Sequence, residues 1–131
     1  MRRMFIGICL ALTVSCKGRQ AEGGTTPAPT SEKAKPTTVV MAINLGEDEE
    51  QGGCGDVIHA VRAVAKRGVR TREIDTRNKS DMEAASKKYR IVVEPTVVLL
   101  DDSEHEVRRY EGESSDTITA LKADLEQMAK S

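Results

Sequence analysis

The sequence predicts an α/β domain of element order β-α-β-α-β-β-α, a three-layer sandwich around a central mixed four-stranded sheet. Three observations predict it. The stretch Thr37 to Leu45, TTVVMAINL, is nearly continuous and β-branched, the mark of a strand buried on both faces. Asp56 to Arg67 places Val57, Val61 and Val64 on one helical face, with Ile58 and Ala65 beside them. Thr96 to Leu100, TVVLL, runs into a turn and a more polar return strand, the pattern of an antiparallel hairpin. A right-handed crossover joins the first strand to a parallel second one, and the hairpin completes the mixed sheet.

The elements between these follow from local signals. Gly68 ends the first helix, and Val69 to Asp75 reads as the second strand, although its alternation is poor. Ser80-Asp81-Met82-Glu83 has the pattern of a capping box and opens a short helix to Arg90, with Met82, Ala85 and Tyr89 along one face. Glu94, preceding Pro95, is steered towards extended conformations, so the helical pattern breaks before Thr96. Asp101 to Glu104 is a turn and His105 to Tyr110 the return strand. After Gly112, Ser115 or Asp116 caps a last helix in which Ile118, Leu121, Leu125 and Met128 recur at helical spacing.

The chain start has its own logic. Arg2 and Arg3 precede an apolar run from Met4 to Val14, and Ser15 is the small residue that a signal peptidase needs. A membrane-spanning helix needs roughly 20 apolar residues, which this run does not reach, so residues 1–15 read as an export signal. Cys16 after Thr13-Val14-Ser15 resembles the lipobox of bacterial lipoproteins, with threonine in place of the usual leucine; the resemblance implies that Cys16 is lipidated and becomes the first mature residue. Several acyl chains on one cysteine make a firm membrane anchor. Residues 17–36 are rich in Gly, Pro, Thr and Lys, the composition of a flexible linker. Residues 37–131 remain as one domain. The expected location is the cell envelope, lipid-anchored and facing the periplasm from the inner or outer membrane, or on the cell surface.

Charge and composition exclude several classes. Residues 37–131 hold 14 Lys and Arg against 19 Asp and Glu, and their only aromatics are Tyr89 and Tyr110. Without a basic stripe or stacking surface, a nucleic-acid partner is not expected. Gly52, Gly53 and Gly55 suit tight turns and backbone approach rather than phosphate binding, because no Lys-Ser/Thr ending of a P-loop follows. His59 on a helix and His105 on a polar strand lack the companions a metal site needs, so neither a metal nor another cofactor is expected.

Three cysteines reduce to one. Removal of the leader discards Cys9 and lipidation caps Cys16, so Cys54 is the only thiol expected in the mature protein and no intramolecular disulfide can form. At a helix start, Cys54 would face unpaired backbone N–H groups that favour thiolate; Glu47, Asp48, Glu49, Glu50 and Asp56 crowd the same end and oppose it.

Taken together, the residues resemble the thioredoxin superfamily. The resemblance runs from Thr37 to about Met128: a buried strand, Cys54-Gly55 at the mouth of the next helix, "REID" ending the second strand, "YRIVVEPTVVLL" where thioredoxins carry Tyr-Gly-Ile-x-x-x-Pro-Thr, and "YEG" before the last helix. It implies a thioredoxin-like fold in which Cys54 is the attacking thiol, Pro95 is cis and packs beside it, and Gly53, Gly55, Glu94, Pro95 and Thr96 shape the substrate groove. Thioredoxins read Trp-Cys-Gly-Pro-Cys where this chain reads Gly53-Cys54-Gly55-Asp56-Val57. Val57 stands where the resolving cysteine would be, so an intramolecular dithiol cycle cannot run.

The resemblance therefore implies a monothiol thiol–disulfide oxidoreductase, acting on protein or peptide thiols and disulfides, with a second thiol supplied from outside to resolve the mixed disulfide. A disulfide-linked homodimer through Cys54 is a further expectation. The competing reading is a redox-inactive module of the same fold that holds an extended peptide beside Pro95 by strand addition.

Overall fold

A computed structural model describes residues 34–46 and 52–131. The expected export signal, the expected lipidation site at Cys16, most of the expected linker and the acidic run Glu47 to Glu50 lie outside the described residues. Seven elements follow in chain order: β1 (Thr38–Ile43), α1 (Gly52–Ala65), β2 (Arg70–Asp75), α2 (Lys79–Tyr89), β3 (Thr96–Leu100), β4 (Glu106–Glu111) and α3 (Ser115–Ala129). The α/β order matches the one the sequence predicts.

The sheet order is β2-β1-β3-β4. Strand β1 pairs in parallel with β2, Met41 opposite Glu73, and antiparallel with β3, Met41 opposite Val97. The hairpin partner β4 pairs antiparallel with β3, with an irregularity at Leu99 and Leu100. All six β1 residues are buried, as a strand covered on both faces requires. Alternate side chains divide the core. Val39, Met41, Ile43, Val97 and Leu99 meet Val57, Ile58, Val61 and Val64 of α1 and Ile118, Leu121, Leu125 and Met128 of α3. On the opposite face Val40, Val98 and Leu100 pack beside Ile74 and Tyr89, and Ala42 packs with Ala85 and Ile91.

The second face is completed by charged side chains. Arg72 donates to the Tyr89 hydroxyl (3.0 Å) and pairs with Glu104, which also accepts from Lys88 (2.8 Å). The Lys88 ammonium and then the Arg72 guanidinium hold the Glu104 carboxyl down at about 2.

Element ends depart from the sequence reading in instructive ways. Helix α1 begins at Gly52, four residues before Asp56, and its glycines, Gly52 at a positive φ and Gly53 in close approach to Glu113, weaken the helical signal in sequence. Asn78, not Ser80, caps α2: its Oδ1 accepts from the backbone N–H of Ser80 (3.2 Å) and Asp81 (3.5 Å). Asparagine is at least as good a cap as serine, and Ser80 instead donates its hydroxyl to the same Oδ1 (3.0 Å). The other end of α2 closes on Arg90 in the left-handed region, φ 52°, where the Arg109 guanidinium bonds the carbonyls of Tyr89 and Arg90. A cation there meets the negative end of the helix. Ser114, not Ser115 or Asp116, caps α3, its Oγ accepting from Thr117 N (3.2 Å). Val69 and His105 fall just outside their strands, and His105 N–H is spent on Asp101 Oδ1 (2.9 Å) in the turn.

The cap assignment makes a prediction. Asn78→Ala should lower stability by about 1 kcal/mol, whereas Ser80→Ala should cost well under that, read from urea midpoints at constant slope. Equal losses would return the cap to Ser80.

Candidate functional site

The site is assembled at the end of the sheet where β1 finishes and β3 starts. Strand β1 ends at Ile43, and the loop leaving it is pinned to β2. Asp75, the last residue of β2, accepts from Leu45 N (3.4 Å), from Arg77 N (3.1 Å) and from the Arg77 guanidinium (2.7 Å). The Arg77 guanidinium, with the two backbone N–H groups, lowers the Asp75 carboxyl to about 2. The Arg77 side chain lies where a Cβ on Gly46 would sit, so a larger residue there would have to displace the guanidinium.

Helix α1 then presents Cys54 in its first turn. Gly52 opens the helix with φ +86°, a region glycine occupies readily. A Cβ on Gly53 would come within 2.5 Å of Glu113 Cβ and 2.9 Å of its carbonyl oxygen, so the missing side chain lets the β4–α3 connection close on the helix start. Cys54 is half-buried at the rim of the main core, and its Sγ donates to Glu113 Oε2 at 3.4 Å. Gly55 is buried, while Asp56 is exposed and pairs with Lys122 of α3 (3.1 Å). Val57, where the resemblance places a resolving cysteine in thioredoxins, is 1 % exposed and belongs to the core.

The other wall is the segment before β3. The Glu94–Pro95 peptide is cis, Pro95 is buried and Glu94 is exposed. Pro95 O accepts from Gly112 N (2.8 Å), and Gly112 has φ +79°. Glu113 follows directly. One short connection thus bonds Pro95 through Gly112 and Cys54 through Glu113, which brings the two sequence-predicted residues to one end of the sheet. Thr96 is fully buried, pairs with Ala42 and Glu111, and donates its hydroxyl to Val93 O (2.7 Å), so its side chain serves the turn. Val92 and Val93 beside it are the exposed large hydrophobics among the described residues, at 79 % and 43 %.

Other residues singled out in the sequence lie apart from this cluster. His59 is exposed on α1, and His105 sits at the far end of β3, 3.6 Å from Asp101. Among the described residues no group of three or more His, Cys, Asp or Glu is placed to hold a metal ion. Among the same residues no helix is long and apolar enough to cross a membrane.

Glu113 is the site residue that sequence reasoning missed. Its signal was indirect: a glycine at 53, where an aromatic residue would fill space, leaves room for a long side chain arriving from elsewhere.

Solved structures of thioredoxins are similar to this chain. Thioredoxin of Fasciola hepatica aligns at 25 % identity with TM-score 0.52, covering 74 % of this chain and 85 % of that one. The Schistosoma mansoni thioredoxin pre-protein, in its reduced form, aligns at 17 % identity with TM-score 0.51, covering 74 % and 84 %. No family model matches the chain, and no curated protein matches it in sequence. The described domain has a thioredoxin superfamily fold.

The anchoring of the site-proximal loop can be tested through pH. The Asp75 carboxyl is lower folded (about 2) than its ordinary value of 3.8, so the folded state binds fewer protons and the ion pair stabilises above pH 3.8. That stabilisation is lost as pH falls through about 2. Asp75→Asn should therefore be less stable than the parent at pH 7, and the two urea midpoints should converge between pH 4 and pH 2. A constant gap would mean that the carboxylate's charge is immaterial.

Proposed function

We propose that the domain is a monothiol thiol–disulfide exchange protein with Cys54 as its nucleophile, held at the envelope membrane by a lipid on Cys16. The observation that carries the reading is the placement of Cys54 in the first turn of α1, joined through Glu113 and Gly112 to cis Pro95, within a thioredoxin fold. Unpaired backbone N–H groups at a helix start stabilise an anionic sulfur.

The step balances simply. The Cys54 thiol gives up its proton, and its Sγ attacks one sulfur of a partner disulfide. The S–S bond breaks, a Cys54–partner disulfide forms, and the departing thiolate takes up a proton. A second thiol from outside then attacks the mixed disulfide and regenerates Cys54, a job that Val57 cannot do. Pro95 and Glu94 border the groove into which the partner segment lies, whereas the space at Gly53 is taken by Glu113 and Gly55 is buried.

A second reading keeps the groove and discards the chemistry: a module that binds an extended protein segment beside Pro95. The exposed Val92 and Val93, immediately before that proline, favour it.

Mass spectrometry separates the two. In a chain carrying Cys9→Ser and Cys16→Ser, incubation with a small peptide disulfide should give a single adduct at Cys54, released by added thiol and absent when Cys54→Ser is added. If no adduct forms with any disulfide offered while Pro95→Ala weakens partner binding, the binding module is the correct reading. The anchor has its own test: the natural chain should fractionate with membranes and incorporate a labelled fatty acid, and Cys16→Ser should do neither. Unchanged label in Cys16→Ser would remove the lipid anchor from the account.

A further inference from the structure

We propose that Glu113 is the specificity-determining residue of the exchange site, selecting disulfides whose reacting sulfur is flanked by positive charge. The inference rests on the reading of Cys54 as an exchange nucleophile and adds the chemical class of its substrate.

Four features converge on Glu113. Its Oε2 accepts from Cys54 Sγ at 3.4 Å, so the carboxylate stands beside the sulfur that must attack. Its placement is built rather than incidental: Gly112, at φ +79°, turns the chain, and its N–H is held by Pro95 O at 2.8 Å. Gly53 supplies the space, since any Cβ there would collide with Glu113 Cβ at 2.5 Å and with its carbonyl oxygen at 2.9 Å. Ser114, the next residue, is locked as the α3 cap, so the backbone on both sides of Glu113 is fixed.

The consequence for chemistry follows from the sign of the charge. A hydrogen bond from Sγ to a carboxylate is made by the protonated thiol. Forming the thiolate breaks it and sets two negative groups against each other. A partner that brings an ammonium or guanidinium to Glu113 removes that repulsion as it docks, so the substrate itself releases the nucleophile. An anionic partner adds to the repulsion and is excluded. The exposed carboxylate of Glu113 is open to such a partner. Lys122 of α3, which reaches the first turn of α1, is engaged with Asp56 at 3.1 Å.

The test compares two compact thiol reagents of opposite charge, cationic and anionic alkyl methanethiosulfonates. Each forms a mixed disulfide with a thiolate and expels methanesulfinate, which keeps the electron count of the exchange step. The protein is the full chain with Cys9→Ser and Cys16→Ser, so that Cys54 is the reacting thiol. At low ionic strength the cationic reagent should react at least about fivefold faster relative to a neutral-thiol standard, the size expected for one unit charge a few ångströms away in a wet site. Salt should shrink the preference.

Glu113→Gln, which keeps the size and polarity of the side chain, should cut the preference at least threefold. Glu113→Asp should retain most of it, and Glu113→Lys should invert it. A preference that is the same in parent, Glu113→Gln and Glu113→Lys would overturn the proposal and assign selectivity to the acidic surface at large. Should Cys54 react with neither reagent at any pH up to its ordinary range, the exchange reading itself fails; reaction without charge preference removes only the role of Glu113. Circular dichroism of the three variants, expected to match the parent, separates a misfolded variant from a retuned one.

Discussion

Burial of β1 on both faces and along both edges is the constraint on which the remaining structure depends. Its six residues leave no side chain in water, and it pairs with β2 on one side and β3 on the other. The pleat sends Val39, Met41 and Ile43 to the face shared by α1 and α3, and Val40 and Ala42 to the face of α2. One strand thus decides which helices belong to which layer. It also decides where chemistry can sit, because the chain must leave the sheet at Ile43 before α1 can return, and α1 therefore starts at the sheet's end.

At that end, the structure is closed from the α3 side. Gly112 bonds Pro95 while Glu113 reaches Cys54, so the connection between β4 and α3 forms a bridge over the start of α1. The bridge needs three glycines with distinct tasks: Gly112 for a left-handed backbone, Gly52 for the helix opening, and Gly53 for the space that a side chain would deny. The arrangement links fold and proposed chemistry. A thiol at a helix start is favoured as thiolate by the backbone, and the carboxylate beside it opposes that preference until something cationic arrives. In the proposed chemistry, thiol reactivity is conditional on the partner instead of being constant.

Much of this was legible in the sequence, for identifiable reasons. The apolar spacing of Ile118, Leu121, Leu125 and Met128 specified the buried face of α3, and TVVLL specified β3 to the residue, because both are dictated by burial alone. Boundaries were less legible where several residues could do the same job. Asn78 and Ser80 are both competent caps, as are Ser114, Ser115 and Asp116, and the choice between them is made by the tertiary path of the incoming loop. The start of α1 was hidden because Gly53 obeys a constraint from Glu113, 60 residues further along the chain. Thr96, which the resemblance places at the groove, spends its hydroxyl on Val93 O, a bond no local pattern announces.

The most direct measurement is a nuclear magnetic resonance study of the reduced protein, reading backbone shifts of residues 52–56 and nuclear Overhauser contacts of the Cys54 side chain. The account requires helical shifts from Gly52 or Gly53 onward and contacts between Cys54 and Glu113 side-chain protons. Extended shifts through residue 55, with no contact between these two side chains, would contradict it, because the thiol would then lie outside the helix and away from the group proposed to control it.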